Sequence, residues 1–333
     1  MCYFPWSNIT TVGIINYPTS EPLLTCLLPE IELLAIQNGR HHFNISLMIK
    51  YENKINETFV SSTPKQVRVY HRTEYAISIY TMIRNKRNEI IDWIEYHRMI
   101  GIGHFYLYDN LSEDDIHIFL KYYLDQNIVT IIKWPFKPIQ NEHWNMIQSA
   151  SMNHVLKNFG PFNKWMGYFD TDEYFQLNNT NEKLILSGKT SLVELLEQSF
   201  PETKFPGGVQ FYNCPISCFL SENEILSSRH LNIFQKCNSI VEPRDCYTRR
   251  KLFIRPRNVP FMQNIHALES GIIFSPNNGL SNLGQFRHYH YGIIGAKGDQ
   301  RDKFDDSMKN FIANSTQRIS LFYRALCPEP KIH

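Results

Sequence analysis

An α/β fold, built on a mostly parallel sheet flanked by helices, is predicted by three observations. Between Tyr75 and Phe169, β-branched and aromatic runs alternate with amphipathic stretches. The connections between them are short, which favours parallel strands joined by covering helices. The fourth apolar run ends abruptly in Asp170-Thr171-Asp172-Glu173. Burying unpaired carboxylates costs several kcal/mol each, so that run reads as a buried strand whose acids sit at its open end or hold a cation.

The elements follow in order. Tyr75 to Arg84 is the first strand. Glu89 to Ile100 is a helix, with Ile90, Trp93, Ile94, His97 and Ile100 on one stripe. His104 to Asp109 is the second strand. Ser112 caps a helix through Gln126, with Asp115 three residues on as in a capping box. Ile128 to Trp134 is the third strand, ended by Pro135. Asn141 to Asn158 is a helix that repeats Trp144, Ile147, Ser151 and Val155 at helical spacing, and Lys164 to Phe169 is the fourth strand. Beyond the acids come a helix (Ser191 to Phe200), a strand (Gly207 to Asn213), a short helix (Glu222 to His230) and a basic strand, Arg249 to Ile254, leading into Arg255-Pro256-Arg257. Residues 1–70 lack this rhythm. Alternating segments at His42 to Tyr51 and Gln66 to Tyr70 predict a small β-rich N-terminal region, leaving residues 71–333 as the main domain.

Composition excludes several classes. The 333 residues are 43% hydrophobic and 14% aromatic, enough for a substantial core, and 34 basic against 32 acidic residues leave a net charge of +2. No basic cluster marks a nucleic-acid surface. The longest apolar stretch near the N-terminus, Leu23 to Ile36, is interrupted by Pro29, Glu30 and Glu32 and is too short to span a bilayer. As written the chain reads as soluble and cytoplasmic; removal of an N-terminal anchor would place it in the Golgi lumen instead. Of seven cysteines, Cys214 and Cys218 are spaced C-x3-C with Cys237 and Cys246 following, which allows a structural zinc but favours buried thiols or one or two disulfides. Asn-x-Ser/Thr sequons stand at Asn8, Asn44, Asn56, Asn178 and Asn314, in a chain rich enough in asparagine to produce them by chance.

Ligands of parallel α/β sheets bind outside the carboxyl ends of the strands. Those ends carry Arg84-Asn85, Asp109-Asn110 and Asp170-Thr171-Asp172, so polar groups converge on one edge from three strands. Acidic oxygens there suit a hard divalent ion that keeps open positions for phosphate oxygens.

The residues that carry this pattern resemble glycosyltransferase family 92. The likeness rests on Ile83-Arg84-Asn85, Asn88-Glu89, Glu95-Tyr96-His97, Gly103 to Asn110, Gln148 with Asn153, Phe169 to Glu173, Arg250 to Pro256, His266 and His288-Tyr289, and it runs from about Tyr75 to Asp306. It implies a GT-A fold, a UDP-sugar donor (galactose favoured), Mn2+ with Mg2+ as the alternative, inverting transfer, and a glycan or glycoprotein acceptor. The chain departs from the family in three places. A membrane anchor is usual in members, an arginine commonly stands where this chain has His290, and a cysteine expected soon after Asn153 is missing.

On this reading Asp172 binds the metal directly, while Asp170 binds the metal or holds the ribose or a metal-bound water. Glu173 either orients Asp172 or faces the acceptor. A further ligand comes from His266 or His288, with His290 a third candidate, and imidazole favours Mn2+ over Mg2+. Gln148 is assigned to the donor site through the resemblance. Asp109 either touches the nucleoside or caps the following helix. Arg84 pairs with the diphosphate or with a structural partner, and Arg255 and Lys251 are further cations for the leaving group. An inverting transfer needs a carboxylate base, for which Glu222 or Glu224 is preferred over Glu242 and Asp245. Trp134, Trp144, Phe211 and Tyr212 can stack on sugars or pack in the core.

Three rivals are weighed. A D-x-D-x-T phosphatase needs its acids on the first strand and a threonine where Tyr174 stands. A sugar nucleotidyltransferase needs a glycine-rich loop where Arg84-Asn85-Lys86-Arg87 has none. A catalytically weak carbohydrate-binding protein on a transferase fold would not turn over a donor.

Overall fold

The alternating runs become alternating elements in the computed structural model, which describes residues 2–11, 13–16, 23–26, 29–38, 43–51, 54–62, 75–87, 89–138, 144–217, 239–240, 250–268, 273–274 and 282–289. The chain divides into two compact units, Met1–Arg72 and Thr73–His333.

The first unit holds β1 (Cys2–Phe4), β2 (Ile9–Thr11), β3 (Gly13–Asn16), β4 (Leu23–Cys26), α1 (Glu30–Gln37), β5 (Phe43–Tyr51) and β6 (Lys54–Ser62). A four-stranded antiparallel sheet runs β2-β1-β5-β6, and β3 pairs with β4. The apolar stretch from Leu23 divides between β4 and α1, because Pro29 cannot continue a strand ladder and sits well just before a helix. Gln66 to Tyr70 lies outside the described residues.

The second unit opens with β7 (Tyr75–Ile83), α2 (Ile90–Met99), β8 (His104–Asp109), α3 (Ile116–Phe119), α4 (Lys121–Asp125), β9 (Val129–Lys133), α5 (Asn145–Asn158) and β10 (Asn163–Tyr168). It continues with β11 (Glu173–Leu177), α6 (Asn179–Leu186), α7 (Leu192–Ser199), β12 (Gly208–Phe211), β13 (Asn213–Ser217), β14 (Ser239–Ile240), β15 (Lys251–Ile254), β16 (Met262–Asn264), β17 (Ala267–Leu268), β18 (Ile273–Phe274) and β19 (Gly284–Tyr289).

Its central sheet has seven strands in the order β18-β12-β15-β10-β7-β8-β9. Only β15 runs against its neighbours. This is the mostly parallel sheet expected. The chain builds β7, β8 and β9 outward in one direction and then returns to place β10 on the other side of β7. That reversal opens a crevice at the carboxyl ends of β7 and β10. A second sheet, β11-β19-β13-β14, starts directly beyond it.

The inner strands β7, β8 and β10 bury both faces, which explains their near-continuous apolar runs. Ile77, Ile79, Phe105, Leu107 and Trp165 pack toward Trp93 and Ile94 of α2. Tyr80, Tyr106, Tyr108, Met166 and Tyr168 pack toward Met152, Val155 and Leu156 of α5. Asn153 ties α5 to β16 by both donating to Met262 O (3.0 Å) and accepting from Met262 N–H (2.9 Å).

The helix expected from Ser112 through Gln126 is two short pieces. Ser112 does not cap it: its Oγ accepts the Asn85 backbone N–H at 3.1 Å, joining the loops after β7 and β8. Asp115, at φ 52, precedes α3 with no side-chain cap. Ser191 does cap α7, with Glu194 completing a capping box. Among the described residues no helix is long and apolar enough to cross a membrane. Cys2 and Cys214 each take part in a disulfide, so Cys214 offers no thiolate to a structural zinc.

Candidate active site

After β10 the chain turns within four residues. Glu173 N–H donates to Asp170 O (3.1 Å), and the Glu173 carboxylate accepts the Asp170 N–H (2.8 Å). The turn is pinned to β19, where Tyr289 N–H donates to Asp172 O at 2.8 Å and Glu173 stands opposite His288. From below, α2 holds β11, with Trp93 Nε1 donating to Glu173 O (2.9 Å) and Tyr96 OH to Phe175 O (3.0 Å).

Asp172, Glu173 and His288 bring donor atoms within 4.8 Å of one another. His288 Nε2 lies 3.3 Å from Asp172 Oδ2, and His288 Nδ1 lies 4.0 Å from Glu173 Oε1. Asp172 Oδ1 is buried and has no hydrogen-bond partner among the described residues. A buried, unpartnered carboxylate oxygen beside an imidazole is a donor set that fits a divalent ion such as Mn2+.

Behind the triad lies Lys251, at the start of β15. Its Nζ is 2.9 Å from both Asp170 Oδ2 and Glu173 Oε2, and the side chain is 2% exposed. Asn213 donates to Glu173 Oε1 at 2.6 Å. Gln148 of α5 donates to Asp170 Oδ1 at 3.2 Å.

Electrostatics divide the roles of the four charged groups. Burial works to raise the Asp172 carboxyl, but the hydrogen bond and charge of His288, aided by Lys86 and Lys251, hold it below the usual carboxylate range. Burial pushes Glu173 up to about 7 against the pull of Lys251. For Lys251, burial opposes the charge, yet Asp170 and Glu173 outweigh it and raise the ammonium above its ordinary value. His288 also ends raised, since its Asp172 bond and the neighbouring carboxylates overcome its burial.

The other sequence candidates fall as follows. Both Asp170 oxygens are engaged, by Gln148 and Lys251, and Asp170 is not among the three residues whose donor atoms converge. Glu173 does not face an open position: it is 1% exposed and both oxygens are hydrogen-bonded, which suits it to hold the turn. Asp109 does not cap the following helix, which starts at Ile116: it accepts Ser112 N–H (3.0 Å) on one oxygen and faces His117 Nε2 (3.1 Å) on the other. Arg84 is exposed just past β7, and its guanidinium has no partner among the described residues.

Arg255 lies at the opposite end of β15 from Lys251, because that strand runs antiparallel to β10. There it donates to Phe205 O (2.7 Å) and Phe200 O (2.6 Å) and sits over the Trp165 ring at 3.9 Å, away from any leaving group. His266 Nδ1 meets Arg250 O at 2.7 Å, and His266 is not part of the triad. Glu222, Glu224, Glu242, Asp245 and His290 lie outside the described residues. Phe211 and Tyr212 are core, while Trp144 is exposed one turn before Gln148. Sequence reasoning missed Asn213 and the bracing role of Lys251. A lysine that ends the basic run Arg249-Arg250 and opens the apolar run Leu252-Phe253-Ile254 was the available signal.

The profile of glycosyltransferase family 92 matches residues 73–321. A family 92 protein of Ricinus communis is 31% identical over 188 residues, covering 53% of this chain and 32% of the relative. One of Oryza sativa is 29% identical over 113 residues, 33% of this chain and 18% of the relative. The chain thus spans about a third or less of the length of the curated relatives it matches. The crystal structure of S. aureus TarS 1–349 aligns at a TM-score of 0.33 and 10% identity, covering 64% of this chain and 60% of that one. With the profile covering the whole of the central sheet and the acidic turn, the chain belongs to glycosyltransferase family 92.

Proposed function

We propose that the Thr73–His333 unit is a metal-dependent, inverting hexosyltransferase that moves a sugar, galactose favoured, from a UDP-sugar to a glycan or glycoprotein acceptor. The observation that carries this reading is the buried, unpartnered Asp172 Oδ1 beside His288 at the crevice between β7 and β10. When bound there, Mn2+ (or Mg2+) neutralises the charge that develops on the departing nucleoside diphosphate.

The chain's own residues divide the work. Asp172 and His288 hold the cation, and Glu173 is clamped by Lys251 and Asn213 so that the turn keeps its shape. Gln148 and Lys251 aim Asp170 toward the ribose or a metal-bound water. Arg84, exposed at the end of β7, reaches the diphosphate, and Trp144 offers an aromatic face to a sugar. Glu222 and Glu224 are the candidates for the base that deprotonates the acceptor. The disulfides at Cys2 and Cys214 support residence in an oxidising compartment such as the Golgi lumen rather than the cytosol.

The test is release of UDP from a panel of UDP-sugars with Mn2+ and no acceptor. Mn2+-dependent release that disappears in Asp172→Ala, with an unchanged metal-free melting temperature, is expected. Undiminished release by Asp172→Ala would rule out the site. Donor-induced stabilisation without release would favour the carbohydrate-binding alternative, and consumption of pyrophosphate would mark a nucleotidyltransferase.

A further inference from the structure

We propose that Asn8 is an N-glycosylation site whose first sugar packs on Trp6. The site belongs to the Met1–Arg72 unit and is independent of the donor reading above. The register Phe4↔Ile9 makes residues 5–8 the turn of the β1–β2 hairpin. Asn8 ends that turn at φ 56, the left-handed region asparagine tolerates, and it is exposed.

Three features prepare the acceptor amide. Tyr3 OH, on the facing strand, donates to Asn8 Oδ1 at 3.1 Å. With the oxygen held toward the hairpin, Nδ2 is directed outward, and Nδ2 is the atom that carries an N-linked glycan. Thr10 completes the sequon from an exposed position in β2. Trp6, two residues before Asn8 in the same turn, is 55% exposed. An exposed indole is a broad apolar face, and the C–H face of a pyranose attached two residues away can cover it.

The compartment agrees. Cys2 lies in the same hairpin, opposite Thr11, and is disulfide-bonded. The hairpin therefore matures where thiols oxidise, which in a eukaryotic cell is also where asparagine is glycosylated. Two other sequons differ. Asn110, which with Leu111-Ser112 makes a sixth sequon beyond the five named above, is fully buried, with Nδ2 donating to Trp134 O (2.7 Å) and Phe136 O (2.8 Å). Asn178 caps α6, accepting from Asn181 N–H and donating to Asn282 O. Among these three, only Asn8 is an exposed residue whose amide nitrogen donates to none of the described residues.

The co-reactant is a polyprenyl-diphosphate-linked oligosaccharide delivered by the host's oligosaccharyl-transferring enzyme. The Nδ2–C1 bond forms, the bond from C1 to the phosphate oxygen breaks, the polyprenyl diphosphate leaves, and the amide proton passes to a base of that enzyme.

The experiment expresses the full chain, behind a secretion leader, in a eukaryotic host and maps its glycopeptides with and without an amide-cleaving endoglycosidase. Expected is a glycan on the Asn8 peptide, conversion of Asn8 to aspartate by the enzyme, and loss of one glycan's mass in Asn8→Gln. The glycosylated protein should melt above its deglycosylated form, and Trp6→Ala should remove that difference. A bare Asn8 peptide in secreted protein whose Cys2 is disulfide-bonded overturns the site. An undiminished melting difference in Trp6→Ala overturns the role of the indole.

Discussion

Replacing Lys251 by methionine tests the bracing of the acidic turn directly. The ammonium is 2.9 Å from a carboxylate oxygen of Glu173 that is itself 1% exposed, and 2.9 Å from the more open Asp170. Removing one partner of a buried pair costs about 3–5 kcal/mol, because the other charge is left without compensation. Asp170, 37% exposed, can turn to water, so most of the loss must come from Glu173. The double variant Lys251→Met/Glu173→Gln should therefore recover a large part of it. There the new amide nitrogen can donate to Asn213 Oδ1, which has no partner among the described residues, once that side chain flips. Urea unfolding followed by tryptophan fluorescence is a suitable assay, since Trp93 and Trp165 are fully buried in this unit. A loss under about 1 kcal/mol in the single variant, or no recovery in the double, would refute the claim that Lys251 compensates a stranded carboxylate.

Other perturbations have clear signs. Asp92, 5% exposed in α2, is pushed up to about 7 by burial. Its folded value exceeds its unfolded one, so the stability it confers is complete below about pH 4 and is lost as pH rises through 7. Asp92→Asn should then stabilise the unit by roughly 4 kcal/mol at pH 8 and by well under about 1 kcal/mol near pH 4; equal effects at both would be inconsistent with this. Asn153→Ala strips both polar groups of buried Met262 of their partner and should lower stability by about 2–3 kcal/mol in the same assay. Mn2+ at a hundred times its dissociation constant should stabilise the wild-type chain by about 3 kcal/mol, and Asp172→Asn should lose that gain in a thermal shift measurement. Retention of the full shift would move the metal elsewhere.

Local pattern made the central sheet legible. Runs such as Tyr75 to Ile83 and His104 to Asp109 are apolar on both faces because helices cover both, and that signature survives without any tertiary knowledge. The acidic turn after Phe169 was legible for the same reason: charge interrupting a buried run can only mark its end. Helix starts were read less well. Ser112 has the chemistry of a cap, yet an equally good donor at Asn85 from the neighbouring loop takes it.

The sequence by itself determined the order of the central strands and the end of the sheet at which Asp170 to Glu173 stand. Only the tertiary structure decided the partners. His288 reaches Asp172 across 116 positions, Lys251 reaches Asp170 across 81, and Asn213 reaches Glu173 across 40. Periodicity describes a residue's relation to neighbours a few positions away, so it sorted Asp170 to Glu173 as one acidic group. Which of those oxygens is neutralised by a buried lysine, and which is left open for a cation, depends on strands that meet only when the chain has folded.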